Sequence, residues 1–303
     1  MAQSIVAAVL ALALAVGVES AALAQQLPTI PPDREKDLHG LDIINEADLR
    51  IFMTGNQFFL MPELVQAFQA RHPEMKKIFY ATLPPGLLLK WILAGGADFK
   101  GRTLPGDADV YASITEVHTK ELQQKGFMKD YFPYAGNRLV IVVPKGNPKG
   151  IKVVKDLARP DVRISHTNPI TEGITIPTVE MYRRAGGDEL VWQIMSMKAA
   201  DGTTKFTKVH HRETPEALMK GEADAGNVWI TEYLEYEKKG WPIEKIEPGA
   251  NLDMRDSVKF VIGRVDKTAR NPANADKFLA FMKTKEAQAV YAKYGFVAGF
   301  PAE

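Results

Sequence analysis

The densest run of chemistry-bearing side chains in this 303-residue chain is His210-His211-Arg212-Glu213-Thr214. A histidine beside a carboxylate can ligate a metal ion or serve as an acid or base. Arg212 offers a planar fork that pairs with a carboxylate or an oxyanion. Side chains alternate along a strand, so at most one of His210 and His211 is expected to point inward. A second polar group is Thr54-Gly55-Asn56-Gln57, which supplies donors and acceptors while the glycine lets the backbone come close. The same Asn56 would equally cap a helix. Trp229 brings a flat apolar face and one N–H donor, and would equally serve as core. Glu172, in Asn168-Pro169-Ile170-Thr171-Glu172-Gly173, repels an oxyanion if it faces one, or turns away to cap a helix. Pro84-Pro85-Gly86 is a stiff loop that lacks two N–H donors.

These groups do not add up to an enzyme. There is no cysteine, no nucleophile elbow, no His-Glu-x-x-His and no phosphate loop, and the His210–Glu213 run is too compact to be a triad by itself. No cofactor is implied. Without cysteine there is no disulfide, so a packed core must hold the fold. Thirty-eight basic against 37 acidic residues leave a net charge of +1, which gives no support to a nucleic-acid or membrane-surface partner.

The opening residues read as an export leader. The run IVAAVLALALAVGV over 5–18 is shorter than the roughly 20 residues that span a bilayer and fits a signal-peptide core of about 7–15. Ala22-Leu23-Ala24 supplies the small-x-small cut site, so 1–24 is expected to be removed. With no cysteine at the cut to carry a lipid, a free periplasmic protein is expected. Residues 25–44, with Pro28, Pro31, Pro32 and the charged run 33–37, read as a loose arm.

Hydrophobic spacing then predicts alternating elements. Strands are expected over 49–53, 77–82 and 109–113, with helices over 59–71, 87–93 and 115–125 between and after them. A long buried strand over 138–144 opens a second unit. That unit has strands over 163–166 and 225–229 and helices over 172–185, 214–220 and 232–239. A strand over 259–265 and helices over 272–282 and 285–293 close the chain. Alternation of this kind is the pattern of a parallel sheet wrapped by helices.

Four pieces of this layout carry a resemblance: IFMTGNQFFLMPELVQAF, YATLPPGLLLKWILAGG, Asp107-Ala-Asp-Val-Tyr-Ala112 and the closing EAQAVYAKYGF. In order and spacing, 49–296 resembles the molybdate-binding-protein-like family of two-lobed periplasmic solute-binding proteins. The resemblance implies an α/β fold of two lobes, each a mostly parallel sheet flanked by helices, joined by two crossover strands near 139–143 and 259–262. Lobe one would be 45–138 plus 261–303, and lobe two 139–260.

By the same resemblance a ligand sits between the lobes, at strand ends and helix N-termini. The positions that would meet it are Thr54, Asn56, Gln57, Gly86, Thr171, Glu172, His211, Arg212, Glu213, Thr214 and Trp229. Three of these segments depart from the family pattern. The prolines replace a serine-rich turn, Glu172 replaces a small residue, and Trp229 stands where a tyrosine is usual. The implied function is capture of an oxyanion or small organic acid for the permease of an ABC importer, by a monomer. The alternatives are a metal ion or chelate, held by some of His166, His210, His211, Glu172 and Glu213, and a periplasmic sensor that docks on a membrane receptor.

Overall fold

Strands buried on both faces organise each half of the molecule, as shown by a computed structural model that describes residues 26–208 and 210–298. The leader read at 1–24 lies outside these residues, as does Val209. The first half runs β1 (Leu38–His39), β2 (Leu49–Thr54), α1 (Met61–Arg71), β3 (Ile78–Leu83), α2 (Pro85–Ala94), β4 (Gly96–Phe99), β5 (Arg102–Pro105), β6 (Val110–Ser113), α3 (Glu116–Gln124) and β7 (Tyr131–Gly136). The second half runs β8 (Leu139–Pro144), β9 (Ile164–His166), α4 (Thr175–Trp192), β10 (Thr204–Phe206), α5 (Glu213–Met219), β11 (Ala225–Trp229), α6 (Ile230–Lys238) and β12 (Ile243–Ile246). The chain then returns with β13 (Lys259–Arg264), α7 (Pro272–Met282), α8 (Lys285–Lys293) and β14 (Val297–Ala298).

A seven-stranded sheet has the order β1-β3-β2-β6-β13-β7-β14, and a five-stranded sheet the order β10-β9-β11-β8-β12. Each forms the centre of one lobe. The expected mostly parallel sheets are in fact mixed. Parallel pairing is confined to β3-β2-β6 and to β10-β9-β11. The reason is the return path: β13 comes back from the other sheet and enters between β6 and β7 antiparallel to both. The chain passes between the sheets at Asn137 and Arg138 and again over 247–258, so β8 and β13 stand beside the two crossings, each within a single sheet. A shared apolar core runs behind the crossings, where Trp229 of one sheet meets Phe260 of the other edge to face at 5.7 Å.

Residues 26–48 are packed, which corrects the expectation of a loose arm. Ile30, Leu38 and Ile44 sink into the apolar layer formed by Phe52, Phe79 and Trp91. Thr29 bridges to Asp98, and β1 pairs antiparallel with β3. The three apolar residues are too widely spaced to register as an element, yet each finds a buried place. The helix expected to stop near 185 bends there and continues to Trp192. Gly187 sits at φ +72° and breaks its geometry, a position that a residue with a Cβ adopts only with strain. The hairpin β4–β5, with β7 and β12, lacked a clear apolar alternation and was not foreseen. Among the described residues no helix is long and apolar enough to cross a membrane.

Candidate functional site

The two sheets point strand ends and helix starts at each other, and a small cavity remains between them. Thr54, Gly55, Asn56, Pro84, Pro85 and Ile114 line it from the seven-stranded side. Glu172, Gly173, Ile174, His210, His211 and Trp229 line it from the five-stranded side. Its volume is about 10 Å³, measured as room for the centre of a water-sized sphere, so the lobes are closed to the scale of one water. Contact is tightest at two glycines. A Cβ on Gly55 would collide with Nε2 of His210, and one on Gly173 would press on Ile114 Cδ1 at 2.6 Å.

A buried relay orients the first wall. Tyr291 donates its hydroxyl to Gln57 Oε1 at 2.6 Å, and Gln57 Nε2 donates to Thr54 Oγ1 at 2.9 Å and to Tyr134. Thr54 then donates to Asn56 Oδ1 at 2.7 Å. This fixes the Asn56 amide with its oxygen engaged and its Nδ2 donor unpartnered and buried at the cavity. Gln57 therefore acts inside the lobe, one step behind the wall.

The opposite wall is built on charge. Glu172 Oε1 accepts the Asn168 N–H at 3.0 Å and the Thr207 hydroxyl. Its Oε2 accepts both the backbone N–H and Nδ1–H of His211, at 2.5 and 2.7 Å. The other ring nitrogen of His211 lies 2.7 Å from Glu232 Oε1, out of line for a hydrogen bond but at ion-pair distance. Burial opposes a charged ring here, but Glu232 and Glu172 outweigh it and raise the pKa of His211 to about 9. Glu172 is thus neither a helix cap nor a bare charge in the cleft.

His210 is the opposite case. Burial, with the positive charges of Arg212 and His211, pushes its pKa well below 6.5, so the ring is neutral. Its Nδ1 accepts from the backbone N–H and from Nε of Arg212, both at 3.1 Å. The ring proton therefore sits on Nε2, which faces Gly55. Both histidines line the cavity, their rings 4.1 Å apart, which corrects the expectation that only one points inward. The segment before α5 is a turn, so strand alternation does not apply.

Of the residues singled out from sequence, the fold brings Thr54, Asn56, Glu172, His211 and Trp229 to the cavity, together with His210. Trp229 is fully buried, and its Nε1 has no hydrogen-bond partner among the described residues. Gly86 and Thr171 lie at a separate opening of about 170 Å³, beside Lys90 and Lys208. Arg212 turns to Asp37 at 2.8 Å. Glu213 accepts the N–H groups of Lys208 and His210 at 2.9 and 3.0 Å, and Thr214 meets Ser165 at 3.0 Å beneath the site. His166 stands apart, its Nδ1 on Thr167 O at 2.8 Å and its ring against Tyr182 and Phe206. Burial pulls its pKa down to about 4. Sequence reasoning missed Glu232 and Asp37. Glu232 stands three residues after Trp229, the spacing of a capping box, and its Oε2 accepts the Trp229 N–H at 3.4 Å. Asp37 left no signal.

Glu172, His210 and His211 offer ligand atoms within 4.8 Å of one another. As hydrogen-bonded, they do not suit a cation. The free nitrogen of His210 carries the proton, both nitrogens of His211 face carboxylates, and Glu172 is engaged on both oxygens.

The three histidines set an expected stability profile. His210 and His166 stay neutral in the fold but take up protons in the unfolded chain below about pH 6.5. Stability should therefore fall as pH drops from 6.5, by about 1.4 kcal/mol per pH unit for each. His211 has a raised folded pKa, so its contribution is complete below about pH 6.5 and is lost as pH rises through about 9. Melting curves from pH 4 to 10 should peak near pH 6.5. A profile flat on the alkaline side contradicts the charged His211.

Known proteins give the same picture. A sulfate-binding protein of Synechococcus elongatus is 29% identical over 213 residues, covering 64% of this chain; the match spans 59% of that protein's length. The molybdate-binding protein ModA of Mycobacterium tuberculosis is 24% identical over 217 residues, 70% of this chain and 74% of that one. The solved periplasmic molybdate-binding protein of Azotobacter vinelandii superposes with a TM-score of 0.65 at 19% identity, over 84% of this chain and 99% of its own, a likeness of fold. The model of one family matches residues 49–297, which takes in the five-stranded sheet, strands β2, β3, β6, β7 and β13 of the seven-stranded one, and every cavity-lining residue. The chain belongs to the bacterial extracellular solute-binding proteins.

Proposed function

We propose that this protein captures a small oxyanion, or the anionic head of a small organic acid, between its lobes and delivers it to an ABC importer from the periplasm, with residues 1–24 as the export signal. The observation that carries this is a set of donors without acceptors. Asn56 Nδ2 and Trp229 Nε1 are buried and unpartnered, and Nε2–H of His210 faces the same cavity. Each buried donor left unmade costs about 1–3 kcal/mol. An anion that accepts from Asn56 and Trp229 removes that cost, and since the cavity has room for about one water, the lobes would close on the anion a little wider than here. Glu172 and Glu232 are both turned onto the charged His211, which offsets one of their two charges. The sulfate- and molybdate-binding relatives agree with this ligand class.

A thermal-shift screen of the purified protein tests it. Sulfate, molybdate or a small carboxylate at a hundred times its Kd should add about 2.7 kcal/mol, or roughly 5–11 °C for a chain of this size. Zinc and manganese ions should add nothing. A shift with the metals and none with any anion overturns the proposal.

A further inference from the structure

We infer that residues 26–48 form a latch that holds the lobes shut and sets His210 as a donor to the ligand, with Asp37 and Arg212 as its positioning residues. This rests on the cleft being the ligand site. The segment precedes the residues that the family model covers, 49–297, and is anchored on the seven-stranded lobe through Ile30, Leu38 and Ile44. Its 3-10 turn, Pro32–Asp37, ends on the buried Asp37.

From there it reaches the other lobe twice. Asp37, with no exposed surface, accepts from Arg212 Nη2 at 2.8 Å. Arg34 Nη2 lies 3.3 Å from Glu213 Oε1. Arg212 and Glu213 open α5, which packs on the five-stranded sheet. The Arg212 guanidinium also sits 4.3 Å over the ring of Phe58, a residue of the first lobe. One arginine of the second lobe is therefore gripped by a carboxylate and an aromatic face of the first.

The grip passes into the cavity. Arg212 Nε and backbone N–H both point at Nδ1 of His210 and so place its proton on Nε2. If the lobes part, Arg212 loses Asp37 and Phe58 together, and its freed side chain leaves the His210 ring held by the Arg212 backbone N–H alone. Closing restores both at once. The latch acts on the lifetime of the closed form, since breaking a buried charged pair shows chiefly in the dissociation rate.

Two readouts test this. The chain has no cysteine, so Val117→Cys and Met219→Cys, both on exposed helix positions of opposite lobes, accept spin labels cleanly. Asp37→Asn should shift the ligand-free interlobe distances toward longer values. Tryptophan-monitored stopped flow with sulfate and with molybdate should show dissociation at least about tenfold faster. Asp37→Asn leaves Arg212 unpaired and can harm the fold. The double variant Asp37→Asn, Arg212→Gln removes both charges and should keep the open distances and the fast release. Variants that melt lower but keep wild-type distances and release rates overturn the latch and leave a merely structural role. Should the wild type bind neither anion, the ligand proposal falters while the interlobe distances still decide the latch.

Discussion

Gly55→Ala is expected to leave the protein folded and to weaken oxyanion binding by about 5- to 150-fold. The added methyl falls on Nε2 of His210. That ring cannot step aside freely, since Arg212 holds its other nitrogen and His211 stacks 4.1 Å away. Overpacking of this kind costs about 1–3 kcal/mol, which is the stated range in affinity. The clash exists only when the lobes meet, so the open form escapes it, and the ligand-free melting temperature should fall by no more than the closed arrangement contributes. Titration calorimetry gives the affinity, and small-angle scattering gives the lobe separation. Gly173→Ala is the internal comparison: it meets the far end of Ile114, which can turn away, so its effect should be smaller. Equal affinities for wild type and Gly55→Ala would show that ligand is held without this closure.

His211→Ala should be the most damaging single change to the fold. The imidazole stands between two buried carboxylates, 2.7 Å from each. Removing it leaves Glu172 and Glu232 facing one another without a cation. Stripping one partner from a buried ionic group costs about 3–5 kcal/mol. For a chain of this size that lowers the melting temperature by about 6–20 °C. Adding Glu232→Gln to His211→Ala should recover part of the loss, because one of the two stranded charges is gone. Urea unfolding at pH 7 measures both. A single variant as stable as wild type would mean that His211 carries no charge in the fold.

Much of this architecture is written in local patterns. The helices 272–282 and 285–293 were read to the residue, because Pro272 and Thr284 mark their starts and their apolar positions recur at helical spacing. The strand 225–229 also has the bounds expected of it. The site was legible as segments and not as roles. Thr54, Asn56, Glu172, His211 and Trp229 reach one cavity because each ends a strand or starts a helix, which spacing reveals. Arg212, the obvious anion fork, was misread because its partner Asp37 lies 175 residues away. The proton on His210 depends on Arg212, whose side chain is in turn positioned by Asp37. That His211 offsets the charge of Glu172 is equally hidden, since the two lie 39 residues apart. Pairings at long sequence separation are set by packing, and a single sequence carries no record of them.

The hydroxyl of Tyr291 heads the relay that ends at the Asn56 amide, and it comes from α8, 234 residues beyond Gln57. An amide offers two donors on one side and an acceptor on the other, and only its surroundings decide which side faces out. The polarity that this cavity presents is thus set from a helix that touches no ligand. A substitution at Tyr291 would therefore turn the Asn56 amide, and with it the cavity's polarity, while leaving every cleft residue in place.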